Sequence, residues 1–125
     1  MQPSDGPKTI LLVDDSRTVT CVLRTYLMGN GWNFIHESDG EQGLRRALRE
    51  HPDLVVSDIE MPNRSGLELC ECLKAAPGLR HTKVVLISSR WTTERRLSAK
   101  QAGADGWLNK PVTEEALLRL VKRLL

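Results

Sequence analysis

The stretch TILLVDDS, residues 9–16, runs a nearly continuous apolar segment into two adjacent carboxylates, Asp14 and Asp15. An unbroken apolar run of this length suits a strand buried on both faces, because a strand with one wet face alternates. Ser16 then stands where a helix N-cap belongs. Behind it, Val19, Val22, Leu23, Tyr26 and Leu27 recur at i, i+3, i+4, i+7 and i+8, which predicts one apolar helix face. Gly29-Asn30-Gly31 stops that helix.

The rest of the chain repeats the pattern. WNFIHES (32–38) alternates weakly and predicts a strand near an edge; Asp39-Gly40 predicts a turn. Leu44, Ala47 and Leu48 mark a second helix, ended by His51-Pro52 because the residue before proline avoids the α region. DLVVSD (53–58) predicts a third, buried strand, and the loop IEMPNRSG (59–66) leads to a helix carrying Leu69, Cys70 and Leu73. After the breaker APG (76–78), KVVLISS (83–89) predicts a fourth strand and TTERRLSAKQAG (92–103) a fourth helix. DGWLNKP (105–111) holds a short fifth strand. TEEALLRLVKRLL (113–125) predicts a last helix, capped by Thr113, with Leu117, Leu120, Val121 and Leu124 inward. Strand and helix alternating five times predict an α/β, doubly wound parallel sheet with helices on both faces and strand order 2-1-3-4-5, a flavodoxin-like arrangement. In such sheets ligands collect at the carboxyl ends of the strands, beside the switch point between the first and third.

Composition bounds the function. At 125 residues one domain is expected, with MQPSDGP (1–7) as a flexible leader and 8–125 as the folded unit. A net charge of +2 is too mild for the basic stripe of a nucleic-acid binder. No apolar run approaches the roughly 20 residues of a membrane span, and the leader lacks the pattern of a signal peptide. Cys21, Cys70 and Cys72 are an odd set without the C-x-x-C spacing, which predicts free thiols and a reducing, cytoplasmic compartment.

The predicted strand ends bring chemistry together. The first strand ends at Asp14-Asp15, the third at Asp58, the fourth at Ser88-Ser89, and the fifth near Lys110-Pro111. Each residue alone is an ordinary cap or loop residue; the combination is not. Three clustered acids call for a cation, and carboxylate oxygens with water are the ligand set of Mg²⁺. A carboxylate nucleophile flanked by metal, ammonium and hydroxyl suits phosphoryl transfer, and Asp58, alone at the end of the central strand, is the best acceptor.

LLVDDS, VVSDIEMPNRSGLEL, VVLISS and AGADGWLNKP resemble the receiver domain of bacterial two-component response regulators, of the single-domain chemotaxis type, from about Lys8 to Leu125. The resemblance implies that Asp58 accepts phosphate from a sensor histidine kinase or phosphotransfer protein. It implies that Mg²⁺ is held by Asp15, Asp58 and the backbone carbonyl of Glu60, with Asp14 acting through water. Ser88 would bind the phosphoryl group and Lys110 pair with it, while Met61-Pro62 and Gly66 match the family's loop. The family's switch aromatic falls on Trp107, a larger ring than the usual Tyr or Phe. Glu60 and Arg90 would border the path of the hydrolytic water and, being of opposite charge, are expected to pair and slow loss of the phosphate.

Trp91 is expected to open the fourth helix and to be exposed. With Leu118, Leu125, Arg95, Arg96, Trp107, Arg119 and Lys122 outside the inward stripes, the fourth helix, fifth strand and fifth helix offer a face for a target protein or a homodimer. The alternative is a receiver-like interaction module that does not use phosphate, and the complete acid, hydroxyl and lysine set argues against it. An aspartyl phosphatase would place a second acid at Glu60, but lacks a cap domain here. A flavin-binding protein would need an anion-binding loop where Asp14 and Asp15 repel phosphate.

Overall fold

The computed structural model describes residues 6–125, so most of the expected leader lies outside the described residues. The strands are β1 (Thr9–Val13), β2 (Asn33–Glu37), β3 (Leu54–Asp58), β4 (Lys83–Ser88) and β5 (Gly106–Asn109). The helices are α1 (Arg17–Leu27), α2 (Gly40–Glu50), α3 (Gly66–Ala75), α4 (Thr93–Gln101) and α5 (Glu114–Leu124), with a short 3₁₀ turn at Pro77–Leu79. The sheet is parallel throughout, in the order β2-β1-β3-β4-β5. Residues of β1, β3 and β4 are buried on both faces, while β2 and β5 at the edges are partly wet.

Alternate strand residues feed two cores. Leu11, Val13, Val55, Val84 and Leu86 meet α2, α3 and α4 on one face. Ile10, Leu12, Leu54, Val56, Val85 and Ile87 meet α1 and α5 on the other. Each α-helix opens on a side-chain cap: Ser16, Asp39, Ser65, Thr92 and Thr113 each accept a backbone N–H of the first turn. Ser65 and Glu68 form a full capping box.

Several local expectations change. Asp39-Gly40 is not a free turn but the cap and first residue of α2. Val22 and Leu48 stand at 38% and 48% exposure, because Thr20, Gly43 and Ala47 take the inward positions. Leu118 and Leu125 are half-buried against the α1–α5 core rather than displayed. Trp91 precedes α4 instead of opening it, and is half-buried: its indole N–H donates to the Leu108 carbonyl at 2.8 Å, and its ring lies 6.0 Å from that of Trp107. Of the helical cysteines, Cys70 is buried and its thiol is pushed up to about 12 by burial, and no cysteine is in a disulfide. That fits small packed side chains rather than redox chemistry.

Candidate functional site

The parallel register delivers the functional residues to one edge. β1 gives way at Val13, and the Asp14 amide donates to the Glu37 carbonyl at 3.2 Å, so Asp14 stays in the sheet's frame. Its Oδ1 accepts the Ser16 N–H at 2.8 Å, and its carbonyl lies 3.2 Å from His36 Nε2 on β2. Asp58 closes β3, anchored by the next amide, Ile59, which donates to the Ile87 carbonyl at 3.0 Å. The Lys110 amide donates to the Ser88 carbonyl at 3.0 Å, carrying the lysine past β5 towards the acids.

The loop after Asp58 is shaped by backbone constraints. Asn63 takes a positive φ of 69°, a conformation asparagine tolerates better than most residues. The Gly66 amide donates back to the Ile59 carbonyl at 2.9 Å. A side chain on Gly66 would overlap the Asp58 carbonyl oxygen and the Ile59 Cα, so only glycine lets α3 start this close to the acceptor strand.

Asp14 and Asp58 are 2% and 5% exposed, while Asp15 is exposed. Carboxylate oxygens of Asp14, Asp15 and Asp58 all lie within 4.8 Å of one another. Lys110 Nζ is 2.9 Å from Asp58 Oδ2 and 3.6 Å from Asp14 Oδ2. Burial pushes the Asp58 carboxyl above its ordinary range; the bond and charge of Lys110 pull it down, and Asp14 and Glu60 add to the upward push. Burial works against the Lys110 charge, but the bond to Asp58 and the charges of Asp14 and Asp58 win and hold the ammonium above its ordinary value. Two buried oxygens, Asp14 Oδ2 and Asp58 Oδ1, have no hydrogen-bond partner. Orphaned carboxylate oxygens in an oxygen-only cluster fit a hard divalent cation such as Mg²⁺.

Ser88 is fully buried at the end of β4. The expected Glu60–Arg90 pair does not form. Arg90 is exposed and contributes its backbone, whose N–H donates to Ser88 Oγ at 3.0 Å. Glu60 instead pairs with Arg95, whose Nη1 is 2.6 Å from Glu60 Oε1. Burial pushes Glu60 up, but the Arg95 hydrogen bond leads a set of contacts that hold it below the usual carboxylate range.

Sequence reasoning placed Arg95 only on a docking face. A signal for its role exists: Arg95 sits three residues after the cap Thr92, where a Glu or Gln would bond back to the cap, and an arginine there is free to reach elsewhere. Trp107 is 39% exposed and tilted against Trp91.

The comparisons agree with this geometry. Residues 10–122 match the family model described as the response regulator receiver domain. The chain is 36% identical to the probable transcriptional regulatory protein TcrX of Mycobacterium tuberculosis, over 96% of this chain and 51% of that protein. It is 31% identical to protein PilG of Pseudomonas aeruginosa, over 97% of this chain and 89% of that one. The chain thus spans about half the length of TcrX and of the MprA response regulators it also matches. Among solved structures, the chemotaxis response regulator CheY4 of Vibrio cholerae superposes with a TM-score of 0.88 at 28% identity, covering 95% of this chain and 99% of that one. Fold, acid cluster and family match converge, and the chain belongs to the response regulator receiver domain family.

Proposed function

We propose that this receiver domain is a phosphorylation-controlled signalling switch in which Asp58 is the phosphoacceptor. The observation that carries the reading is the state of the Asp58 carboxylate: Oδ2 is held by Lys110 at 2.9 Å and buried Oδ1 has no partner. One oxygen is therefore tethered and the other free to act as nucleophile. An Oδ–P bond forms as the N–P bond of a donor phosphohistidine breaks, the imidazole leaving with the electron pair. Lys110 then balances the charge of the phosphoryl group, and the Ser88 hydroxyl donates to one of its oxygens.

Asp14, Asp15, Asp58 and the Glu60 carbonyl are the residues to hold Mg²⁺, with Asp14 acting through water. When bound, the ion supplies positive charge against the phosphoryl oxygens. Trp107, outward against Trp91, is the switch aromatic, and Glu60 is a modulator of phosphate lifetime whose partner is Arg95 in place of Arg90. The chain turns over no small molecule; it catalyses only its own phosphorylation and dephosphorylation.

The phosphodonor is a sensor histidine kinase or phosphotransfer protein. A largely apolar groove of about 480 Å³, lined by Val19, the exposed Val22, Tyr26, Pro111 and Val112, runs up to Lys110 and suits docking of that donor beside Asp58. The output surface is the α4–β5–α5 face, where Leu97 and Trp107 are exposed, read by a target protein or by a second copy. Residues 8–125 form the domain, which contacts neither nucleic acid nor membrane. The location this reading goes with is the cytoplasm, where thiols such as Cys21, Cys70 and Cys72 stay reduced.

Incubation with phosphoramidate and Mg²⁺ tests the reading. The expected result is a mass increase of one phosphoryl group, mapped to Asp58 and absent in Asp58→Asn. No mass increase would favour an interaction module that signals without phosphate.

A further inference from the structure

The hydroxyl that the phosphoryl group needs is already engaged. Ser88 Oγ accepts the Arg90 N–H at 3.0 Å and Arg95 Nη1 at 3.0 Å. Its one proton is shared between Glu60 Oε1 at 3.3 Å and the Arg90 carbonyl at 3.4 Å. A hydroxyl has one proton and two lone pairs, so the capacity of Ser88 is full. The same Arg95 nitrogen lies 2.6 Å from Glu60 Oε1 and 3.2 Å from the Arg90 carbonyl. Ser88, Glu60 and Arg95 thus close a triangle across three elements: the end of β4, the loop after β3, and the first turn of α4. The Thr92 cap, accepting the Arg95 N–H at 3.0 Å, holds the arginine's backbone in place.

Resting on the phosphoacceptor reading, we propose that Glu60 and Arg95 are positioning residues that form a latch on Ser88. Arg95 holds the Glu60 carboxylate over the hydroxyl and so commits the Ser88 proton away from Asp58. A phosphoryl oxygen on Asp58 has to outcompete Glu60 for that proton. When it does, the Glu60–Ser88 edge of the triangle opens. The latch therefore resists phosphoryl capture.

The charge-neutral variant Glu60→Ala/Arg95→Met separates a latch from simple attraction. It removes one negative and one positive charge together, so the net charge facing an incoming anion is unchanged. The readouts, with Mg²⁺, are calorimetric affinity for beryllofluoride and the phosphoramidate concentration giving half-maximal phosphorylation by intact mass. The latch predicts that the dissociation constant and the half-maximal concentration both fall by about three- to tenfold, the net scale of one ordinary hydrogen bond given up, as suits a long 3.3 Å contact. Arg95→Lys, which keeps a cation beside Glu60, stays near the wild type. In a Ser88→Ala background the double substitution has no effect, a result that a purely structural role would not produce. Unchanged or weakened capture in the double variant overturns the latch while leaving the phosphoacceptor reading intact. A wild-type protein that takes up neither beryllofluoride nor phosphoryl overturns both.

Discussion

Asp58 is held at odds with its own charge. Burial and the neighbouring Asp14 and Glu60 outweigh Lys110, so its carboxyl titrates above the ordinary range. Asp58→Asn is therefore expected to stabilise the metal-free protein at neutral pH, because the ionised carboxylate is the form the fold disfavours. The pH sign follows from proton linkage: a group whose folded value is raised gains stability as pH falls through that value towards the unfolded one. The advantage of Asp58→Asn should shrink over that acid window, measured by denaturant unfolding in EDTA; a constant gap would contradict the raised value. The two acids after β1 are also unequal. Asp14 is buried with Oδ1 committed to the Ser16 amide, whereas Asp15 is exposed. Asp15→Asn should then cut the Mg²⁺-induced rise in thermal midpoint more than Asp14→Asn does, and equal losses would remove the division between direct and water-mediated ligand. Asp14, Asp15, Asp58, Ser88 and Lys110 were legible in the sequence because parallel strands put all their carboxyl ends on one edge. Arg95 was not, because its role depends on how a capped helix turn aims a long side chain. Arg90, the charge nearest in sequence to Ser88, meets it through the backbone.

At the scale of elements, the existence and order of strands and helices were legible from period alone, and the errors sit where small residues decide packing. In α1 and α2 the apolar stripes included Val22 and Leu48, yet Thr20 and Gly43 face the sheet in their place, beside the expected Ala47. Close approach to the sheet selects for low volume there, and an apolar-periodicity count cannot see that. Gly66 is the sharpest case. Gly66→Ala places a methyl against the Asp58 carbonyl and the Ile59 Cα, both backbone, so α3 or the end of β3 must shift. The expected cost is about 1–3 kcal/mol by denaturant titration. A slower phosphoramidate reaction should accompany it, because the displaced backbone is that of the acceptor. Unchanged stability and rate would show that the loop yields more easily than its packing suggests.

Across the whole molecule, the two cores are unevenly shared. α1 and α5 each bury several residues against one face, and α3 buries four on the other, but α4 buries only Ala99. Local stability tracks buried apolar contact, so amide exchange in native buffer should be fastest, among the five helices, in α4 and slowest in β1, β3 and β4. Protection in α4 equal to that of α3 would show that its polar ties, not its packing, hold it down. The sheet order itself was legible because the weakly alternating β2 and the short β5 belong at the edges and right-handed crossovers leave few alternatives. The tilted stack of Trp91 and Trp107 has a use beyond packing. Two indoles with centroids 6.0 Å apart are electronically coupled chromophores, and they join the loop before α4 to β5. Trp32, just before β2, packs into the α1–α5 core instead. Near-ultraviolet dichroism and intrinsic emission of the unlabelled protein should therefore register any parting of that pair, which makes the domain its own optical gauge of the α4–β5 surface.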